Sequence, residues 1–210
     1  ILIGSNVTLK DFTFNYSGSE SYGSSADLLN VGNGSACITN TINSNISNVL
    51  IESCIFNYTS DTQRPPFILF QFNKGNEGKN ISIKNCHFND VGTTNVKKSQ
   101  AAIAFYTFNS GVLTDPTLLQ NCEIIGSVCN QKQSIYITTT TAVAGGVEEP
   151  GIVCVNCRIE KNICGIIGYL ISGTLTASET LTDSQSHYSL DVIENNCSVI
   201  ANLYGKGIYN

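Results

Sequence analysis

One phrase recurs along this chain and limits its possible folds more than any other feature. It reads NVTLKDFTF from Asn6, NVLIESCIF from Asn48, NISIKNCHF from Asn80, PTLLQNCEI from Pro116 and GIVCVNCRI from Gly151, with a looser copy, DVIENNCSV, from Asp191. Aligned on the residue that follows its short polar position, the phrase puts Phe12, Cys54, Cys86, Cys122, Cys157 and Cys197 in one column. The steps are 42, 32, 36, 35 and 40 residues. A self-similar period of about 20–50 residues marks a solenoid, a propeller or another repeat architecture.

Each copy has strand character. In ISIKNCHF, Ile81 and Ile83 alternate with Ser82, as a strand with one buried face requires. Lys84 and Asn85 interrupt the alternation, and Cys86 and Phe88 resume it in a new phase. A two-residue bend with Asn second fits, because Asn tolerates the left-handed backbone better than most residues. The same slot holds Asp11, Ser53, Asn85, Asn121, Asn156 and Asn196. A further strand is expected upstream of most copies: DLLNV at 27–31, FILFQF at 67–72, AAIAFYTF at 101–108, SIYITT at 134–139 and GIIGYLI at 165–171. GIYN at 207–210 reads as the start of another. Loops of variable length, rich in Gly, Ser, Asn and Thr, lie between, and no segment shows a capped helical period.

Three short strands per repeat with bends at fixed places describe an all-β, single-stranded parallel β-helix of about six coils, one domain over 1–210. Its coils would stack at about 4.8 Å and align like residues in columns. Cys54, Cys86, Cys122, Cys157 and Cys197 are expected to point inward beneath Phe12. A second inward column would hold Phe14, Phe56, Phe88, Ile124, Ile159 and Val199. Cys154 would share the slot of Leu9, Ile51, Ile83 and Leu119. Leucine-rich repeats need a shorter, helix-bearing unit, and propeller blades need four strands.

Composition narrows the partners. Charged residues make up 13% of the chain and the net charge is −5, so there is no basic field for nucleic acid or anionic lipid. No apolar run reaches the roughly 18 residues of a membrane span. Nine cysteines and seven N-x-S/T sequons, at Asn6, Asn15, Asn33, Asn45, Asn57, Asn80 and Asn196, point to a secreted protein carrying N-linked glycans. Asn15 and Asn57 share one repeat position, and Asn6 and Asn80 share another. Asn196 ranks last as an acceptor because it falls in the bend column. Neighbouring coils bring aligned cysteines within disulfide reach. Cys129 and Cys164 are the best pair, each seven residues after a column cysteine. The chain opens and closes inside repeats, which reads as a segment of a longer protein with coil ends able to self-associate.

The starts CIFN at 54–57, CHFN at 86–89 and FTFN at 12–15, followed by strands such as AAIAF, SIYI and KGIY, resemble the pectin-lyase-like right-handed β-helices. Among these the chain is most similar to the polymorphic outer-membrane-protein type of repeat found in surface adhesins. The resemblance implies a right-handed helix. Polysaccharide hydrolases of that group use clustered aspartates with G-H-G and R-I-K motifs. Here His87 lies in CHF, His187 in SHY and Arg158 in RIEK, and neither motif is present. The acidic pair Glu148–Glu149 falls in a loop beside Pro150. His87 should point outward from its strand. Tyr16 and Tyr58 form an aligned pair expected on the outer surface. No cofactor, metal or catalytic residue is expected. The reading is a non-catalytic structural or adhesive β-helical rod. Its rivals are a carbohydrate-binding or carbohydrate-cleaving β-helix and a virion fibre.

Overall fold

The computed structural model describes residues 1–16, 36–41, 44–58, 66–73, 75–90, 101–110, 117–129, 134–142, 152–170, 190–202 and 208–209. The first rung is β1 (Leu2–Ile3), β2 (Val7–Lys10) and β3 (Thr13–Tyr16). The second is β4 (Ile38–Asn40), β5 (Ile46–Glu52) and β6 (Ile55–Tyr58), and the third β7 (Ile68–Asn73), β8 (Glu77–Lys84) and β9 (His87–Asp90). Then come β10 (Ala101–Ser110), β11 (Thr117–Gln120), β12 (Glu123–Ile125) and β13 (Val128–Cys129), followed by β14 (Ser134–Ala142), β15 (Ile152–Val155), β16 (Cys157–Glu160) and β17 (Ile163–Leu170). The last strands are β18 (Leu190–Ile193), β19 (Asn196–Asn202) and β20 (Ile208–Tyr209).

Among the described residues there is no helix, and the strand pairs are parallel. One face runs β1-β4-β7-β10-β14-β17, and another runs β3-β6-β9-β13-β17. β17 turns the corner between them: Ile163 pairs with Val128, and Ile166 pairs with Ser134. The third face contains β2, β5, β8, β12, β16, β18 and β20. The three parallel sheets enclose one core, the arrangement of a parallel β-helix-like solenoid.

Two left-handed residues, five positions apart, bracket the middle of the rungs. The pairs are Asn6 and Asp11, Asn48 and Ser53, Asn80 and Asn85, Asn121 and Gly126, and Asn156 and Lys161, with φ between 51° and 64°. Left-handed backbone costs a residue with a Cβ about 1–2 kcal/mol, least for Asn and Asp, which bond locally. Hence five asparagines stand at the first corner. The second corner is chemically looser. Lys161 there is held by ion pairs to Glu160 at 2.9 Å and Glu194 at 3.5 Å.

The expected bend column therefore divides. Asp11, Ser53 and Asn85 are left-handed, as expected, and belong to the second corner. Asn121 and Asn156 are left-handed too but belong to the first. Backbone bonds set this register: Asn85 N–H donates to Ile125 O, and Gly126 N–H donates to Glu160 O, both at 2.9 Å. Asn196 is not a bend. It lies in β19, and the left-handed residue of that rung is Glu194, φ 53°.

The upstream strands at 67–72, 101–108, 134–139 and 165–171 coincide with β7, β10, β14 and β17. DLLNV lies outside the described residues, and β4 pairs with β7 in the slot expected for it. GIYN does not begin an upstream strand: Ile208 pairs with Leu190, which puts β20 on the middle face.

The core changes along the axis. Phe14, Phe56 and Phe88 stack at 4.8 and 4.9 Å with interplanar angles of 11° and 9°, and Phe67 leans on the last two at 5.7 and 5.6 Å. In the same column the next rungs place Cys129, Cys164 and Cys197, not Ile124, Ile159 and Val199. Ile124 and Ile159 instead continue Leu9, Ile51 and Ile83, while Val199 pairs with Ile166. Cys154 shares its column with Leu119, Gly78 and Ile46, one corner earlier than Leu9, Ile51 and Ile83. A Cβ on Gly78 would stand 2.8 Å from Leu119 Cδ2, so glycine there makes room for the leucine of the next rung.

Candidate functional site

The exposed asparagines are organised into ladders along the axis. In the first-corner ladder the Nδ2 of Asn48 donates to Asn6 Oδ1 at 2.9 Å, Asn80 to Asn48 at 2.9 Å, Asn121 to Asn80 at 3.1 Å and Asn156 to Asn121 at 2.9 Å. A second ladder runs along the third strands. Asn57 Nδ2 donates to Asn15 Oδ1 and Asn89 Nδ2 to Asn57 Oδ1, each at 2.9 Å. A third pairs Asn76 Nδ2 with Asn45 Oδ1 at 3.3 Å, and Asn45 Oδ1 also accepts from the Glu77 N–H at 3.0 Å. The ladders point one way, each later rung donating to the earlier one.

This sorts the sequon asparagines. Among the described residues, Asn6, Asn15 and Asn45 come first in their ladders and use only Oδ1. Asn57 and Asn80 lie inside ladders and use both amide atoms. Asn196 is exposed on β19 and belongs to no bend, which removes the reason for ranking it last. Asn33 lies outside the described residues. Five ladder members, Asn48, Asn76, Asn89, Asn121 and Asn156, are not sequons. The signal that could have exposed the first ladder was already present: the phrase opens on Asn6, Asn48 and Asn80, five residues before its recognised bend.

The cysteine column also divides. Cys54 and Cys86 follow the second corner, Cys122 and Cys157 follow the first, and Cys197 pairs with Cys164. Phe12 aligns above Cys54, but it is 51% exposed and tilts against Phe14 at 6.0 Å. The thiols that follow corners act as donors. Cys54 reaches Glu52 O at 3.3 Å and Leu9 O at 3.7 Å, and Cys86 reaches Lys84 O at 3.3 Å and Ile51 O at 3.7 Å. Cys122 reaches Gln120 O and Gly78 O, and Cys157 reaches Val155 O and Leu119 O, at 3.4–3.6 Å.

After the second corner the same task passes to amides. Asn162 Nδ2 donates to Ile124 O at 2.9 Å, and Asn195 Nδ2 donates to Ile159 O at 2.8 Å. Asn162 Oδ1 accepts from the Ser127 N–H, and Asn195 Oδ1 from the Asn162 N–H, each at 2.9 Å. The slot therefore favours a donor that can satisfy a carbonyl left over by the left-handed corner. Packing alone, expected for the cysteine column, does not account for Asn162 and Asn195. Ser127 is too short for the role, and its buried Oγ has no partner among the described residues.

Burial pushes the Cys86 and Cys164 thiols up to about 12, and the Cys157 side chain together with burial holds Cys122 well above the ordinary thiol range. These thiols stay protonated at neutral pH and are poor nucleophiles. Cys129 and Cys164 stand in one column on adjacent rungs, the separation expected of them.

The charged groups are matched locally. Glu123 accepts from Ser82 Oγ at 2.8 Å and pairs with Lys84 at 2.5 Å. Burial opposes its ionisation, but these bonds outweigh it and hold the carboxyl below its ordinary value. Lys10 pairs with Glu52 at 3.0 Å, and Arg158 pairs with Glu160. His87 is exposed, between Ile55 and Val128 of its column. Tyr16 and Tyr58 pair in register, but Tyr58 is buried and does not belong to an outer aromatic strip. Glu148, Glu149 and His187 lie outside the described residues. Among those described, no group of three or more His, Cys, Asp or Glu is placed to hold a metal ion, and no helix is long and apolar enough to cross a membrane.

Comparison with known proteins finds no matching family model and no significant match to a curated protein or a solved structure.

Proposed function

We propose that this chain is a non-catalytic extracellular structural or adhesive glycoprotein. In this reading it is a right-handed parallel β-helix of about six coils, one domain over 1–210, related to the pectin-lyase-like and adhesin-type repeats. It extends a rod, presents its loops and N-linked glycans, and stacks end to end on further coils. Right-handedness follows the general rule for crossovers between parallel strands.

The observation that carries the reading is where the exposed polar groups point. The ladder amides of Asn6, Asn48, Asn80, Asn121 and Asn156 bond to one another along the axis. Side chains used in this way reinforce stacking, and another coil could continue each column with the same bonds. Cys129 and Cys164 could add a covalent link between rungs in an oxidising compartment.

The test is native mass together with electron microscopy. Rods of stacked coils support the reading, and a discrete particle of 22.6 kDa overturns it.

A further inference from the structure

The three amide ladders divide the sequon asparagines into two chemical classes. N-glycosylation requires Nδ2. Its lone pair attacks the anomeric carbon of a polyprenyl-diphosphate oligosaccharide, the bond from that carbon to the diphosphate oxygen breaks, the diphosphate leaves with the electron pair, and one amide proton passes to a base. In Asn6, Asn15 and Asn45 the amide nitrogen makes no bond among the described residues, and all three side chains are exposed. In Asn57 the nitrogen donates to Asn15 and the oxygen accepts from Asn89. In Asn80 the nitrogen donates to Asn48 and the oxygen accepts from Asn121.

A sugar on either interior nitrogen would stand between two amides, each about one strand spacing of 4.8 Å away. A pyranose ring with its substituents is wider than that gap, so the ladder would have to open on both sides. A sugar on Asn45 has a ladder amide on one side only.

We infer that the folded protein carries N-linked glycans at Asn45, which heads its ladder beneath a described rung, and at the ladder-free Asn196, and none at the interior positions Asn57 and Asn80. The inference rests on the glycoprotein reading above. Ladder bonding, not the presence of a sequon, selects the acceptor. Because transferases also act on extended chains, the prediction concerns the folded, exported fraction. Chains modified inside a ladder cannot close it and are lost from that fraction.

The experiment is site-resolved glycopeptide mass spectrometry on the full chain, exported from a eukaryotic secretory host and purified as folded material. A companion variant carries Asn48→Gly and Asn121→Gly, which removes both amides flanking Asn80. Glycine keeps the left-handed corners accessible, since it has no Cβ to clash there. The expected result is occupancy at Asn45 and Asn196, none at Asn57 and Asn80, and gain of occupancy at Asn80 in the variant. Equal occupancy at Asn80 and Asn45 in the parent chain, or an empty Asn80 in a folded variant, would overturn the ladder inference and leave the glycoprotein reading standing. Empty sequons throughout would overturn both.

Discussion

Between Val7 and Asp90 the rungs close around stacked aromatic rings, whereas from Thr117 onward they close around sulfur and aliphatic carbon. The column of Phe14, Phe56 and Phe88 becomes Cys129, Cys164 and Cys197 with no break in strand register. The slot after the second corner changes in the same direction. Cys54 and Cys86 give way to Ser127, Asn162 and Asn195, so weak sulfur donors are replaced by amides as the core around them loses aromatic area. The difference teaches that the corners, not the core composition, define a rung. Two left-handed residues five positions apart close the chain around either filling.

The largest expected effect lies in the aromatic half. Phe56→Ala removes the middle ring of the stack and should cost about 3–5 kcal/mol, with a cavity between Phe14 and Phe88. Cys164→Ala, at the equivalent position of the thiol half, should cost about 1 kcal/mol, in proportion to its smaller buried area. Urea unfolding of the two variants checks this, and equal losses would show that the halves are not packed differently.

Next in size is the donor slot. Asn162→Ala leaves the Ser127 N–H and the Ile124 carbonyl buried without partners and should cost about 2–4 kcal/mol. Ser127→Ala, one rung earlier, removes a hydroxyl that bonds to none of the described residues and should change stability by less than about 0.5 kcal/mol. A large loss for Ser127→Ala would give that hydroxyl a structural partner and remove the distinction between the two rungs.

The last contrast is nil at neutral pH and develops only in alkali. The folded chain keeps its Cys86 and Cys164 protons up to about 12, whereas the ordinary thiol value is 9.0. The unfolded chain therefore gives up these protons first. Their contribution is complete below about pH 9 and declines as pH rises toward about 12. Melting temperature measured across this window should fall less steeply for Cys164→Ala than for the parent chain. Parallel slopes would mean that the thiol column is more hydrated than its burial implies.

Much of the architecture was legible in residue order. Alternation in ISIK and the short polar residue before Cys86 led to strands and a left-handed corner, and the spacing of the copies led to parallel stacking. The side-chain ladders were half legible. Asn6, Asn48 and Asn80 open the phrase, yet only the later asparagines were read as corners, because a single bend per phrase satisfied the local pattern. His87 was placed outward correctly by strand alternation. Tyr58 was misplaced because its sequon neighbour suggested an outer face, while the alternation from buried Phe56 puts it inward.

Local chemistry determined that this chain bends left-handed at short polar residues and buries alternate side chains between the bends. Those preferences act over one or two residues and need no partner. Register was different. Both corners share the signature of an apolar strand, a short polar residue and a small inward one, so PTLLQNCEI and NISIKNCHF align equally well by eye. Only the packed structure decides that Asn121 sits beneath Asn80 and Gly126 beneath Asn85, through the backbone bonds and shared columns of neighbouring rungs. That long-range choice turns one apparent cysteine column into three, and separates the asparagines that head a ladder from those locked inside one.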